Sequence, residues 1–249
     1  MTTLPSYVLA MVRREPPIEE LVVPYSTPVV SFGNFRIARV ATLGINPSNR
    51  EFEDQNKRLL TGQSQRLENL ISLNAASTKS LTDSQVSQVI SACDSYFEKN
   101  SYSWFTPLEK VIRSGLNVSY FDKTACHLDL VQWSTSSKWQ ALSTKVKEKL
   151  LDDGKNHLEN QLNQALISVI VVNGISVWRE LQLAGFGTPE KVGKLTFPNG
   201  KTTCQLLVSK NRGLTFLGWT SNLQSQQGAN SNQFLQDLAG WLKLQTKSD

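Results

Sequence analysis

Ile37-Ala38-Arg39-Val40-Ala41-Thr42-Leu43-Gly44-Ile45-Asn46-Pro47-Ser48 is a mainly apolar run that stops at a glycine, an amide and a proline. The part over 37–43 predicts a strand, and Gly44-Ile45-Asn46-Pro47-Ser48 predicts the turn that ends it. A strand ending this way presents one rigid side-chain amide at a sheet's carboxyl edge, which is where open α/β folds bind their ligands. Asn46 is therefore the first candidate for chemistry.

The rest of the chain alternates between the two periodicities. Ile167–Val172 is a β-branched run of the kind found in a central parallel strand, and Asn173-Gly174 turns it into a helix over 175–183. Ala125–Val131 reads as a second buried strand, Val118–Phe121 as a short extended piece, and Thr203–Val208 and Leu214–Leu217 as the last strands. Helices are expected over 81–99 behind Thr82-Asp83, over 104–114 with a stop at Gly115, over 140–166 with a break near Asp152-Asp153-Gly154, and over 232–244. Residues 1–36 carry Pro5, Pro16, Pro17, Pro24 and Pro28 and read as an extended lead-in. Within 53–105, a helical insertion or lid, the polar stretch 56–80 has room for a short helix near 65–73. Strands alternating with helices predict a three-layer α/β/α sandwich around a mainly parallel sheet, in one domain over 1–249.

Composition narrows the function. The net charge of +5 permits a polyanionic partner, but only 19% of residues are charged and no long Lys/Arg run occurs. Cys93, Cys126 and Cys204 are an odd number and widely spaced, which disfavours a disulfide framework or a zinc site. No cofactor or metal is expected. No apolar run approaches the roughly 20 residues of a membrane span, and no basic region precedes a long apolar core at the start. A soluble, cytoplasmic monomer is the expectation. The sequences of a phosphate-binding NTPase loop, of a GxSxG nucleophile elbow and of an HExxH helix are all absent.

Three strand ends carry unusual polar residues: Asn46-Pro47-Ser48, the segment His127-Leu128-Asp129-Leu130-Val131-Gln132-Trp133, and Trp219-Thr220-Ser221-Asn222-Leu223-Gln224. At these residues the chain resembles the uracil-DNA glycosylase superfamily, from about residue 37 onward. Gly44-Ile45-Asn46-Pro47 matches that family's first short motif, and the resemblance implies that Asn46 holds the attacking water. Asp129-Leu130-Val131 is similar to a family segment Asn-Leu-Val whose asparagine reads the flipped base. Trp219-Thr220-Ser221-Asn222-Leu223 loosely echoes the second motif, with Trp219 where the family has histidine or asparagine. The resemblance implies an α/β/α fold, duplex or single-stranded DNA as partner, and hydrolysis of an N-glycosidic bond to leave an abasic site.

The chemistry is consistent with a neutral amide. Breaking a glycosidic bond leaves a cationic sugar and an anionic base, so charge stabilisation and a well-placed water matter more than a strong nucleophile. Asp129 is the informative departure. A carboxylate repels O4 of uracil but accepts from the exocyclic amine of cytosine, and if burial keeps it protonated it also donates to N3. A cytosine-type base is therefore expected, and because excising ordinary cytosine is self-destructive, a modified one in damaged or phage DNA. Such an activity suits antiviral defence.

Other residues carry two readings each. Gly44, Ile45, Pro47 and Ser48 line the base pocket or simply make a turn; Phe52 stacks on the base or fills the core. His127 orients Asp129, contacts phosphate, or is a structural histidine. Leu223 wedges into the stack while Ser221, Asn222, Gln224 and Ser225 touch DNA, or all belong to an ordinary loop. Lys210 and Arg212 clamp phosphates or are solvated, and Trp133 and Trp139 line a groove or close the core. Three alternatives to a modified-cytosine glycosylase stay open: a classical uracil-DNA glycosylase, a catalytically silent nucleic-acid-binding module of the same fold, and a small-molecule or nucleotide hydrolase.

Overall fold

The computed structural model describes residues 4–100, 102–224 and 228–246. In chain order the elements begin with α1 (Ser6–Val12), where the prolines of the lead-in had predicted extended chain; Pro5 precedes its first residue and costs it no hydrogen bond. β1 (Val40–Gly44) is buried throughout. α2 (Asp83–Asp94) starts at Thr82, whose hydroxyl accepts the Gln85 N–H while the Gln85 side chain accepts the Thr82 N–H. α3 (Tyr96–Lys99) follows, then α4 (Thr106–Leu116), β2 (Ala125–Asp129), α5 (Thr144–Gln164), β3 (Val169–Asn173) and α6 (Ile175–Leu183). β4 (Glu190–Thr196), β5 (Thr203–Asn211), β6 (Leu214–Trp219) and α7 (Asn232–Gln245) complete the order.

The chain is thus an α/β protein, and its six strands form one sheet in the order β2-β1-β3-β6-β5-β4. β3 pairs in parallel with β1 on one side and with β6 on the other, while β6-β5-β4 form an antiparallel edge. β4 went unforeseen because nearly all of it is exposed, which leaves no apolar alternation to read.

The chain divides into two compact units, each built from three separate stretches. One takes residues 35–44, 101–127 and 165–249 and holds the sheet apart from the last two residues of β2. In it α4 packs on α7 and ends one residue past Gly115, where a Cβ would stand 2.8 Å from the Ala239 carbonyl oxygen. The left-handed cap is Asn117 instead, at φ 53°. Val118–Phe121 forms no strand: Val118 and Ser119 have no regular structure and a turn begins at Tyr120, where the Glu109 carboxylate accepts from the Ser119 hydroxyl and the Tyr120 N–H.

The other unit takes residues 1–34, 45–100 and 128–164. Its lead-in is not a loose cover. Val23 donates to the Ser134 carbonyl and Val29 to that of Gln132, burying Val22, Val23, Val29, Val30 and Phe32. No helix forms over 65–73; turns close there on the buried side chains of Leu67, Asn69 and Leu73. α5 is unbroken across Gly154, so that glycine marks a close approach rather than a stop. A Cβ at 154 would stand 2.2 Å from the Leu130 carbonyl oxygen.

Gly154→Ala should therefore destabilise the protein by about 1–3 kcal/mol through backbone overpacking. Gly240→Ala, in α7 where a Cβ meets nothing within 4 Å, should stabilise it by about 0.4–1 kcal/mol. Urea unfolding midpoints of the two variants check both signs; equal midpoints would contradict the close-approach account of Gly154.

Candidate active site

Asn46 stands two residues beyond β1, in a segment that runs beside the chain following β2: the Ile45 carbonyl accepts the Val131 N–H at 2.8 Å. Its amide nitrogen donates to the Thr135 hydroxyl at 3.1 Å, the Pro47 carbonyl at 3.1 Å and, longer, the Trp133 carbonyl at 3.4 Å. Two of those partners only accept, which settles which way the amide faces. Its Oδ1 takes no hydrogen bond from the described residues and the residue is half-buried. The arrangement is a fixed acceptor, suited to holding a water or a hydroxyl.

Past Asn46 the chain makes a short turn over Asn49–Glu51, capped by the Ser48 hydroxyl, which accepts the Arg50 N–H at 3.2 Å. This turn drives Glu51 inward to 2% exposure. The Tyr96 hydroxyl donates to Glu51 Oε2 at 2.6 Å, and Arg66 Nη1 lies 3.8 Å from the same oxygen. Burial raises the Glu51 carboxyl to about 7; Tyr96 and Arg66 oppose that rise, and the negative charge of Asp129 adds to it. Asp129, at the end of β2, is itself buried, and its carbonyl accepts from the Gln132 side chain at 2.9 Å. Glu51 and Asp129 are thus two interior carboxyls of one unit, the charge of the second bearing on the first, and Asn46 lies in the same unit as a fixed amide acceptor.

Glu51, Tyr96, Arg66 and Thr135 were not legible as a site. A glutamate in a loop between apolar segments reads as solvated, and Glu51 lies only five residues past Asn46.

The remaining candidates fall into place one by one. Gly44 is buried at the end of β1, Pro47 is buried and Ser48 is exposed. Phe52 is buried at 1%, which places it in the core rather than on an open stacking face. Trp133 and Trp139 are both buried, Trp133 donating to an Asp153 carboxylate oxygen at 3.3 Å.

In the other unit His127 is interior. Its Nδ1 lies 2.7 Å from the Thr42 hydroxyl, which also meets the Tyr120 hydroxyl at 2.6 Å, and its ring packs edgewise on Trp104 and Phe105. Of its three readings, this burial and packing favour the structural histidine.

The loop after β6 is organised by Asn173. Its Oδ1 accepts from the Trp219 indole at 3.0 Å and the Leu223 N–H at 3.1 Å; its Nδ2 donates to Gln224 at 2.6 Å, and Gln224 donates on to the Trp104 carbonyl. Leu223 is wholly buried and Ser221 nearly so, so neither stands out as a wedge or a phosphate contact; Asn222 and Gln224 are half-buried. Ser225 lies outside the described residues. Lys210 and Arg212 are exposed on either side of the tip between β5 and β6, with Arg212 at φ 51° in the turn. Among the described residues no group of three or more His, Cys, Asp or Glu is placed to hold a metal, and no helix is long and apolar enough to cross a membrane.

No protein-family model and no curated protein matches this chain.

Because the folded state holds the Glu51 proton up to about pH 7 and an unfolded glutamate releases it near 4.5, the stability that proton contributes is present below 4.5 and lost as pH rises through 7. Glu51→Gln should flatten that decline and be the more stable form above pH 7, by about 1–3 kcal/mol. Denaturant titrations of both forms from pH 4.5 to 8.5 measure it. Parallel pH profiles would remove the buried-acid assignment.

Proposed function

We propose that this chain is a DNA base glycosylase of the uracil-DNA glycosylase type, acting on a modified cytosine. The observation that carries the reading is Asn46: its amide nitrogen is occupied by protein acceptors and its oxygen is left for a water, two residues past a strand of an α/β sheet. In this reading a nucleotide is flipped from the stack, Asn46 Oδ1 holds the water against the sugar, and Asp129 accepts from the exocyclic amine of the base. Glycosidic cleavage leaves electron density on the departing base, which a proton relieves. Glu51, whose carboxyl burial raises to about 7, is the acid in the same unit that still carries a proton near neutral pH and is the candidate to supply it.

A second reading draws on Trp219. A wholly buried indole bonded to Asn173 brings no polar group to a base where the family has histidine or asparagine, which favours a silent nucleic-acid-binding module.

Oligonucleotides bearing uracil, cytosine, 5-hydroxymethylcytosine or its glucosylated form, followed by alkaline cleavage, separate the two. The glycosylase reading expects abasic sites on a modified cytosine, a loss of about 100-fold in Asn46→Ala, and a shift toward uracil in Asp129→Asn. DNA binding without abasic sites on any of these bases favours the silent module. An Asn46→Ala variant as active as the wild type would discard the water assignment.

A further inference from the structure

The positive charge of this protein is concentrated on the antiparallel edge of its sheet. Residues 190–219 hold five basic residues, Lys191, Lys194, Lys201, Lys210 and Arg212, against one acid, Glu190; that is +4 of the chain's +5. All five basic residues are exposed. β4 is the last strand of the sheet, bonded to β5 alone, and every one of its residues except Leu195 is exposed.

The pairing of β4 with β5 is irregular in a way that matters. Lys191 lies opposite Leu207, but the register shifts so that Gly193 lies opposite Leu206 and Lys194 opposite Gln205. Opposed residues of an antiparallel pair share a face, and alternate residues of one strand do too. Leu207 and Gln205 are on the same face of β5, so Lys191 and Lys194 are on the same face of β4. Without the bulge, residues three apart would point to opposite sides. A bulge that re-aims a side chain is a common device at sheet edges, and here it gathers two ammonium groups on one surface.

Lysines on an edge strand also prevent edge-to-edge aggregation, and charges of either sign or an inward charge serve that purpose. Protection does not call for Lys201 and Arg212, which sit in the turns at either end of β5, or for the near absence of carboxylates across 190–219.

We propose that this β4–β5 wing is a docking surface for the phosphate backbone of a nucleic acid, with Lys191 and Lys194 on its bulge-aligned face as the principal phosphate contacts. The inference rests on the nucleic-acid partner of the reading above, not on its chemistry. Binding of this kind is independent of base sequence and releases counterions, so it leaves a measurable salt slope.

The test is fluorescence anisotropy of the full chain with a labelled 20-base-pair duplex and its single strand, between 50 and 200 mM salt. Lys191→Gln/Lys194→Gln should reduce the slope of log Kd against log salt by about 2 and weaken binding about 10- to 100-fold. Lys145→Gln/Lys149→Gln, the same charge change on exposed positions of α5, should leave the slope within about 0.5 of the wild type. Equal losses in both double variants, unchanged affinity with new aggregation in the wing variant, or wild-type binding to phosphatidylserine vesicles but to neither DNA each overturn the proposal. Abasic-site formation is scored on the same samples. Wild-type binding with wing-dependent slope but no excision fells the glycosylase reading and leaves the wing; excision with an unchanged slope does the reverse.

Discussion

β3 is hydrogen-bonded along both edges, to β1 on one side and β6 on the other, and four of its five residues are buried. A buried backbone group has no water to turn to, so each N–H and C=O of such a strand must find its partner in a neighbour, and the registers of β1 and β6 are set together. The approach to β6 is close enough that a Cβ on Gly218 would stand 2.1 Å from the Val172 carbonyl oxygen. Val169, Ile170, Val171 and Val172 offer no side-chain polarity, and the first polar side chain, Asn173, comes where the strand ends. Its amide has four polar functions, and three of them are used, by the Trp219 indole, the Leu223 N–H and the Gln224 side chain. The loop after β6 is thereby built into the interior. The same amide that organises it also withdraws it from solvent.

Asn46 presents the contrasting use of an amide. Its nitrogen is satisfied by Thr135 and two carbonyls, while its oxygen takes nothing from the described residues. Glu51 is costlier still: a carboxyl at 2% exposure stabilised by one phenol and a longer ion pair, with a second carboxyl near enough to raise it further. Interior polar groups that are only partly matched lower stability, and proteins keep such arrangements chiefly where function asks for them. An under-used acceptor and a proton-retaining acid within six residues of each other single out residues 46–51 as the candidate site.

Much of the secondary structure was legible in the residues. The runs over 37–43, 125–131 and 167–172 mark strands because burial on both faces demands continuous apolar side chains, and the Thr82 cap and the apolar spacing of 81–94 mark α2. Asn46 and Asp129 stood out as candidates because each is a polar residue at or near the end of an apolar strand. Glycine was the weak sign. Gly154 reads as a helix break, yet α5 runs through it because another backbone passes within a side chain's reach, a contact between residues far apart in sequence; Gly115 does stand within two residues of the end of α4. β4 was illegible for the opposite reason: an exposed edge strand needs no apolar pattern at all.

The sequence by itself determined the α/β class, the strand ends where polar residues gather and the side-chain amide at position 46, because these follow from local periodicity and turn chemistry. Tertiary structure alone decided that Glu51 is an interior acid, that Leu223 and His127 are buried, and that Lys191 and Lys194 share a face. Those outcomes depend on desolvation, on which distant donors are within reach and on a one-residue slip between paired strands. None of these is a property of neighbouring residues in the chain.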